Sequence, residues 1–132
     1  MIGVATYQHL RAQAVVTDVC QWIYPQVIPS ERKPPAITYS VDQDTRLRLT
    51  SGQGSYSEAL VSLDVYTNEY ADSHEIADAI ELAMIDYAGA LGTVTPSIEA
   101  DHIRLERRID IFEPQSELHR VSMQFFIGYE IG

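Results

Sequence analysis

The chain has 132 residues, 45% of them hydrophobic and 21% charged, with one cysteine. That is the composition and length of a single soluble domain, able to hold a core without a metal or a disulfide. Nineteen Asp and Glu against nine Lys and Arg leave a net charge of −10, which argues against free-standing affinity for nucleic acid or an anionic membrane surface.

The charge is unevenly placed. No Lys or Arg occurs between Leu49 and Ile103, while ten acids do: Glu58, Asp64, Glu69, Asp72, Glu75, Asp78, Glu81, Asp86, Glu99 and Asp101. The rest of the chain sums to zero. Such asymmetry predicts an electrostatically two-faced molecule, the plainer alternative being a solvated acidic helix face. No window approaches the apolar length of a membrane-spanning helix. The N-terminus lacks the basic stretch and apolar run of a targeting signal, so assembly in the cytosol is expected.

In chain order, Val4, Tyr7, Leu10 and Ala14 predict a first amphipathic helix ending near Val16. Trp22 to Ile28 reads as extended, and Pro25 and Pro29 confine it to an edge strand or an irregular arm. The next segment alternates, with Ile37, Tyr39, Val41, Thr45, Leu47 and Leu49 on one face and Thr38, Ser40, Asp42, Asp44, Arg46 and Arg48 on the other. A second strand follows with Ala59, Val61, Leu63 and Val65 inward, and the two make an antiparallel hairpin with Gly52 and Gly54 at its tip. A continuous strand from Ala36 to Leu49 would measure about 45 Å at ~3.3 Å per residue. It should therefore overshoot the body or be bent by a bulge.

Asp72-Ser73-His74-Glu75 offers an N-cap to a second helix, with Ile76, Ile80, Ala83, Met84 and Tyr87 as its stripe and Gly89 as its end. A second hairpin closes the chain, with Ile103, Leu105, Ile109 and Ile111 inward on one strand and Val121, Met123, Phe125, Ile127, Tyr129 and Ile131 inward on the other. The expected architecture is a single α+β domain over 1–132, an antiparallel four-stranded sheet built from two hairpins with two helices on one face.

No residue set is organised for chemistry. His9, His74, His102 and His119 show no metal-ligand spacing, although His102 and His119 could approach across the last hairpin. Cys20 sits among Val15, Val16, Val19 and Trp22, as a buried structural thiol does. Gly52-Gln53-Gly54 lies at a hairpin tip and not before a helix, so it is no phosphate cradle. A small hydrolase using Asp42, Asp44 or His74 is the enzymatic alternative. No catalytic, cofactor or metal residues are expected. The interaction features are more distinctive. Arg46, Arg48, Arg104 and Arg108 share an outward register and predict a basic stripe, unless cross-strand acids neutralise it. Leu60, Tyr66, Phe112 and Phe126 mix apolar groups into the outer sheet face, as interfaces do.

The order of Ile23-Tyr24-Pro25, Pro35-Ala36-Ile37-Thr38-Tyr39, Leu63-Asp64-Val65-Tyr66 with its acidic helix, Arg107-Arg108-Ile109-Asp110-Ile111-Phe112-Glu113-Pro114 and Arg120-Val121-Ser122-Met123-Gln124-Phe125 resembles the tail terminator or tail completion proteins of long-tailed bacteriophages, found also in prophages and gene transfer agents. The resemblance spans nearly the whole chain. It implies a non-enzymatic α+β protein of the virion tail's head-proximal end, forming a ring, usually of six, on the tail tube. Such a ring stops tube polymerisation and docks to the head connector, and DNA passes through it without specific binding. The interface candidates are then Arg46, Arg48, Gly52, Gly54, Tyr66, Arg104, Arg108, Phe112 and Phe126, and the acids expected to line the bore are Glu58, Asp64, Glu69 and Asp72. A tail-tube or head-closure subunit of the same particle is the alternative.

Overall fold

The structure, a computed structural model, describes residues 1–30, 32–47 and 56–132. In chain order the elements are helices α1 (Ile2–Ala12) and α2 (Ala14–Thr17), strands β1 (Ile23–Pro25), β2 (Ala36–Leu47) and β3 (Tyr56–Thr67), helix α3 (Tyr70–Met84), and strands β4 (Gly89–Ala90), β5 (Ile98–Glu113) and β6 (Leu118–Ile131). They form one sheet in the order β1-β2-β3-β6-β5-β4, in which β1 is parallel to β2 and every other pair is antiparallel. The α+β layering and both hairpins match expectation. The four-stranded antiparallel sheet with two helices does not: the sheet is six-stranded and mixed, with three helices among the described residues. Strands of three and two residues are too short to show a period, and the first helix is split where Gln13 turns extended, at φ −95° and ψ 110°.

One face of the sheet carries the helices, α1 on β2 and α3 on β3, β5 and β6. The core lies between, from Ile37, Val61, Leu63, Val65, Ile103, Val121, Met123, Phe125 and Ile127 beneath to Ile2, Leu10, Ile76, Ile80 and Met84 above. Helix α1 is tied to α3 through the buried His9, whose Nε2–H donates to the Ala83 carbonyl at 2.8 Å. That oxygen is in the last turn of α3, where carbonyls lack intrahelical donors. Cys20 is buried, and burial raises its thiol pKa, partly opposed by the hydrogen bond from Sγ to the Trp22 carbonyl.

Gly92 shows how closely α1 is approached. Its φ is +66°, and a Cβ there would lie 2.6 Å from Gln8 Oε1 and 3.0 Å from the Ala5 carbonyl oxygen. Gln8 Oε1 also accepts the Thr93 N–H at 2.6 Å. Gly92→Ala should therefore cost about 1–3 kcal/mol through strain and the displaced bond, read as a lower urea midpoint with unchanged slope.

The boundaries of α3 differ from expectation. It starts at Tyr70 with Glu69 as N-cap and no side-chain cap bond, and ends at Met84, so Asp72 lies in its first turn and Tyr87 and Gly89 lie beyond it. Ser73 donates its hydroxyl to the Tyr70 carbonyl and does not cap.

The expected bend of the first hairpin is present as a bulge in β2 between Val41 and Gln43, and β5 carries bulges between Ala100 and His102 and between Leu105 and Arg107. Each inserts one residue and exchanges the faces beyond it. Past Asp42, therefore, Asp44 and Arg46 share the helix-side face with Ala59 and Ser57, while Thr45 and Leu47 turn away. Past Glu106, Arg108 and Asp110 turn toward α3, while Ile109 and Ile111, expected inward, join the open face. The Val41/Gln43 and Leu105/Arg107 bulges lie at one height, since Val61 pairs with both Val41 and Phe125, and Phe125 with Leu105.

Candidate assembly surface

The face of the sheet away from the helices is uncovered by any other described element. Across its centre run Glu58, Leu60, Ser62, Asp64 and Tyr66 of β3, beside Phe126, Gln124, Ser122 and Arg120 of β6. Strand β5 adds Arg104, Arg107, Ile109 and Ile111, and β2 adds Thr38, Gln43 and Thr45.

Most charge here is compensated. Arg120 Nη2 donates to Asp64 Oδ2 at 2.7 Å, and its guanidinium lies 5.4 Å over the Tyr66 ring. Burial pulls the Arg120 pKa down, but the Asp64 carboxylate more than offsets this and holds it above its ordinary value. Arg104 donates Nε to Glu106 at 2.6 Å and stacks 4.1 Å over Phe126. The Asp42 carboxylate accepts from the Ser62 hydroxyl and, at 2.9 Å, from Gln124 Nε2. Two buried atoms of the central pair, Asp64 Oδ1 and Arg120 Nε, have no partner among the described residues. Unsatisfied buried polar atoms on an open face are unusual in a finished surface.

On the other side of the sheet, Arg108 Nη1 donates to Asp78 at 2.8 Å and to Glu81, and Nη2 donates to His74 Nδ1 at 2.8 Å. The opposite nitrogen of His74, Nε2–H, bonds the Asp110 carboxylate, which also accepts the Tyr70 hydroxyl at 2.8 Å. The Tyr70 bond, opposed by burial and aided by His74 and Arg108, lowers the Asp110 pKa, and the same bond raises that of Tyr70. This network fastens α3 to β5. Arg108→Met should cost about 1 kcal/mol, because it leaves Asp78 and Glu81 as neighbouring like charges in partly solvated surroundings; a urea midpoint unchanged from wild type would contradict the assignment.

The sequence-predicted residues therefore divide. Glu58, Asp64, Tyr66, Arg104 and Phe126 share the open face. Arg46 lies on the helix side, where it donates to the Ser57 hydroxyl at 3.0 Å, and Arg108 is bound to α3, so the expected stripe of Arg46, Arg104 and Arg108 in one outward register does not form. Phe112 pairs with His119 on the helix side, their rings 5.0 Å apart. Glu69 and Asp72 stand at the start of α3, away from Glu58 and Asp64. Arg48, Gly52 and Gly54 lie outside the described residues. His102 and His119 do not meet, pairing with Gly128 and Phe112 respectively. Arg107, Ile109, Ile111 and Arg120 were missed as open-face residues, three of them because the β5 bulge carries no glycine to announce it.

Among the described residues, no group of three or more His, Cys, Asp or Glu is placed to hold a metal, and no helix is long and apolar enough to cross a membrane. Six of the ten acids of the basic-free segment, Glu69 to Asp86, belong to α3 and its ends, so the acidic side of the molecule is its helix layer.

Comparison with known proteins gives three results. A chain in the structure titled "Virion of native gene transfer agent (GTA) particle" has a similar fold, with a TM-score of 0.72, 18% sequence identity, and coverage of 98% of this chain and 94% of that one. No curated protein matches the sequence. Residues 4–130 match the family described as tail completion protein gp17, and the chain belongs to that family.

Proposed function

We propose that the protein is a tail terminator, a structural virion protein without catalytic activity. Copies assemble as a ring, six in number, on the head-proximal end of the tail tube, stop its growth and offer the surface to which the head connector docks. The observation that carries this reading is the uncovered sheet face: four long strands wide, part apolar, with orphaned polar atoms at its centre, in a chain of the tail completion family. Such a face suits a protein that works inside an assembly and not alone in solution.

In this reading the open face lines the bore. Of the acids expected there, Glu58 and Asp64 remain candidates, while Glu69 and Asp72 face elsewhere. With Asp64 held by Arg120 and Arg104 by Glu106, the face is self-compensated and offers a passing phosphate backbone few free cations.

Size-exclusion chromatography with light scattering, with and without purified tail tubes, tests the proposal. A terminator gives a discrete ring, alone or on the tube end, and tubes so capped cease to grow. Open-ended polymerisation of the purified chain would instead identify a tube subunit.

A further inference from the structure

The two lateral edges of the sheet are both open and unlike each other. Strand β1 pairs with β2 only at Ile37, Thr38 and Tyr39, and β4 pairs with β5 only at Glu99 and Ala100. No pairing strand covers the outer side of β1, of residues 40–47 or of residues 104–112 among the described residues. Native sheets guard such edges with charge, proline or bulges. Both edges carry such guards, Pro25 in β1 and bulges in β2 and β5, yet past its second bulge β5 also presents Ile109 and Ile111, 42% and 36% exposed. At the opposite edge Trp22 is 41% exposed, with the Arg32 guanidinium 3.6 Å over its ring and Arg32 Nε bonded to the Tyr24 hydroxyl.

Strand pairing fixes the heights of these groups. Ile109 shares a rung with Ser122, Asp64, Thr38 and Tyr24. Ile111 shares one with Arg120, Tyr66 and Ala36, next to Trp22. Arg107 is level with Gln124 and Ser62, the two side chains that bond Asp42. Down the β5 edge the open face thus reads Arg107, Ile109, Ile111, Glu113. At the other edge the Arg107 rung ends on Ser40, and the bulge residue Asp42 brings its carboxylate back to that level through Ser62 and Gln124. The next two rungs carry Tyr24 and then Trp22 with Arg32 stacked on it. Base faces acid, apolar faces aromatic, and acid faces base. Arg107 has no ion-pair or hydrogen-bond partner among the described residues, and Asp42 is bonded only to neutral groups.

We infer that the β5 edge of one copy meets the β1–β2 edge of the next, head to tail, with Arg107 against Asp42, Ile109 and Ile111 against Tyr24 and Trp22, and Glu113 against Arg32. Direction agrees with position. Strands β2, β3, β6 and β5 alternate, so β5 runs opposite to β1 and β2, and a copy set beside the first by rotation about an axis along the strands brings β5 up antiparallel, as an ordinary continuation of the sheet. The contact joins unlike surfaces, which is what a ring requires and a two-fold dimer does not. It rests on the ring reading above and specifies the surfaces that build the ring.

The test uses the full-length chain, with light scattering alone and with purified tubes. Arg107→Asp should weaken ring formation about tenfold, as should Asp42→Arg, and the two reversals combined in one chain should restore it. Ile111→Lys should abolish the ring, whereas Leu82→Lys, at a still more exposed apolar position on α3, should leave it intact. Unchanged melting temperatures in all variants separate loss of contact from loss of fold. A wild-type ring that persists in Arg107→Asp and Ile111→Lys overturns this contact and leaves the ring reading standing. A wild-type chain that forms no ring, alone or on tubes, overturns both.

Discussion

Phe125→Ala is expected to remove about 3–5 kcal/mol of stability, the range for deleting a buried aromatic ring whose surroundings close up only in part. Phe125 has no exposed surface and sits on β6 between Val61 of β3 and Leu105 of β5, beneath α3. Four elements meet there, so the cavity cannot be filled by shifting one loop. Domains of this kind have about 5–15 kcal/mol in total, and the variant should populate unfolded chain at ambient temperature. Urea unfolding followed by circular dichroism gives the value. A loss under about 1 kcal/mol would mean that the core is not centred on this strand pair.

The second large effect is alkaline. Burial, together with the hydrogen bond from the Tyr129 hydroxyl to Asp44 Oδ1 at 2.6 Å, pushes the phenol pKa up to about 12. In the unfolded chain the same phenol titrates near ~10. Between these values the unfolded state releases a proton that the folded state keeps. This contribution is therefore fully present below pH 10 and is lost as the pH rises toward 12, by about 2–3 kcal/mol. Tyr129→Phe should be about 1 kcal/mol less stable than wild type at pH 8, from the lost hydrogen bond, and the gap should close or reverse near pH 11. Urea midpoints of both chains at the two pH values decide it; a gap that stays constant would refute the assignment.

Legibility in the sequence followed the regularity of the backbone. Strands β3 and β6 pair without interruption, and there the alternation placed every inward residue from Ala59 to Val65 and from Val121 to Tyr129 correctly. In β2 and β5 the same rule fails past the Val41/Gln43 and Leu105/Arg107 bulges. Thr45, Leu47, Ile109 and Ile111 were assigned inward and face out, while Arg46 and Arg108 were assigned outward and face the helix side. The inserted residues, Asp42 and Glu106, are chosen by the curvature of the whole sheet, and a local window cannot detect them. Helix α3 was legible as a stripe, but it starts after Glu69, which caps it without a side-chain bond, and not at the Asp72 cap the sequence offers. The family was legible from the order of its segments, and the surfaces were not. The charge of −10, traced by sequence to one segment, proved to sit mainly on the helix layer and only partly on the sheet.

The pairing pattern also has a mechanical meaning. Strands β3 and β6 are joined by twelve consecutive residue pairs without a slip, whereas β2 and the long part of β5 each break step at the same height on either side of them. A force along the strands loads the central ladder in shear, with its bonds sharing the load at once, while the flanks can flex where their step is broken. The subunit is thus a stiff spar with two compliant margins. A body of that construction passes axial load straight through its middle and leaves its edges free to follow the tilt of whatever stands beside it.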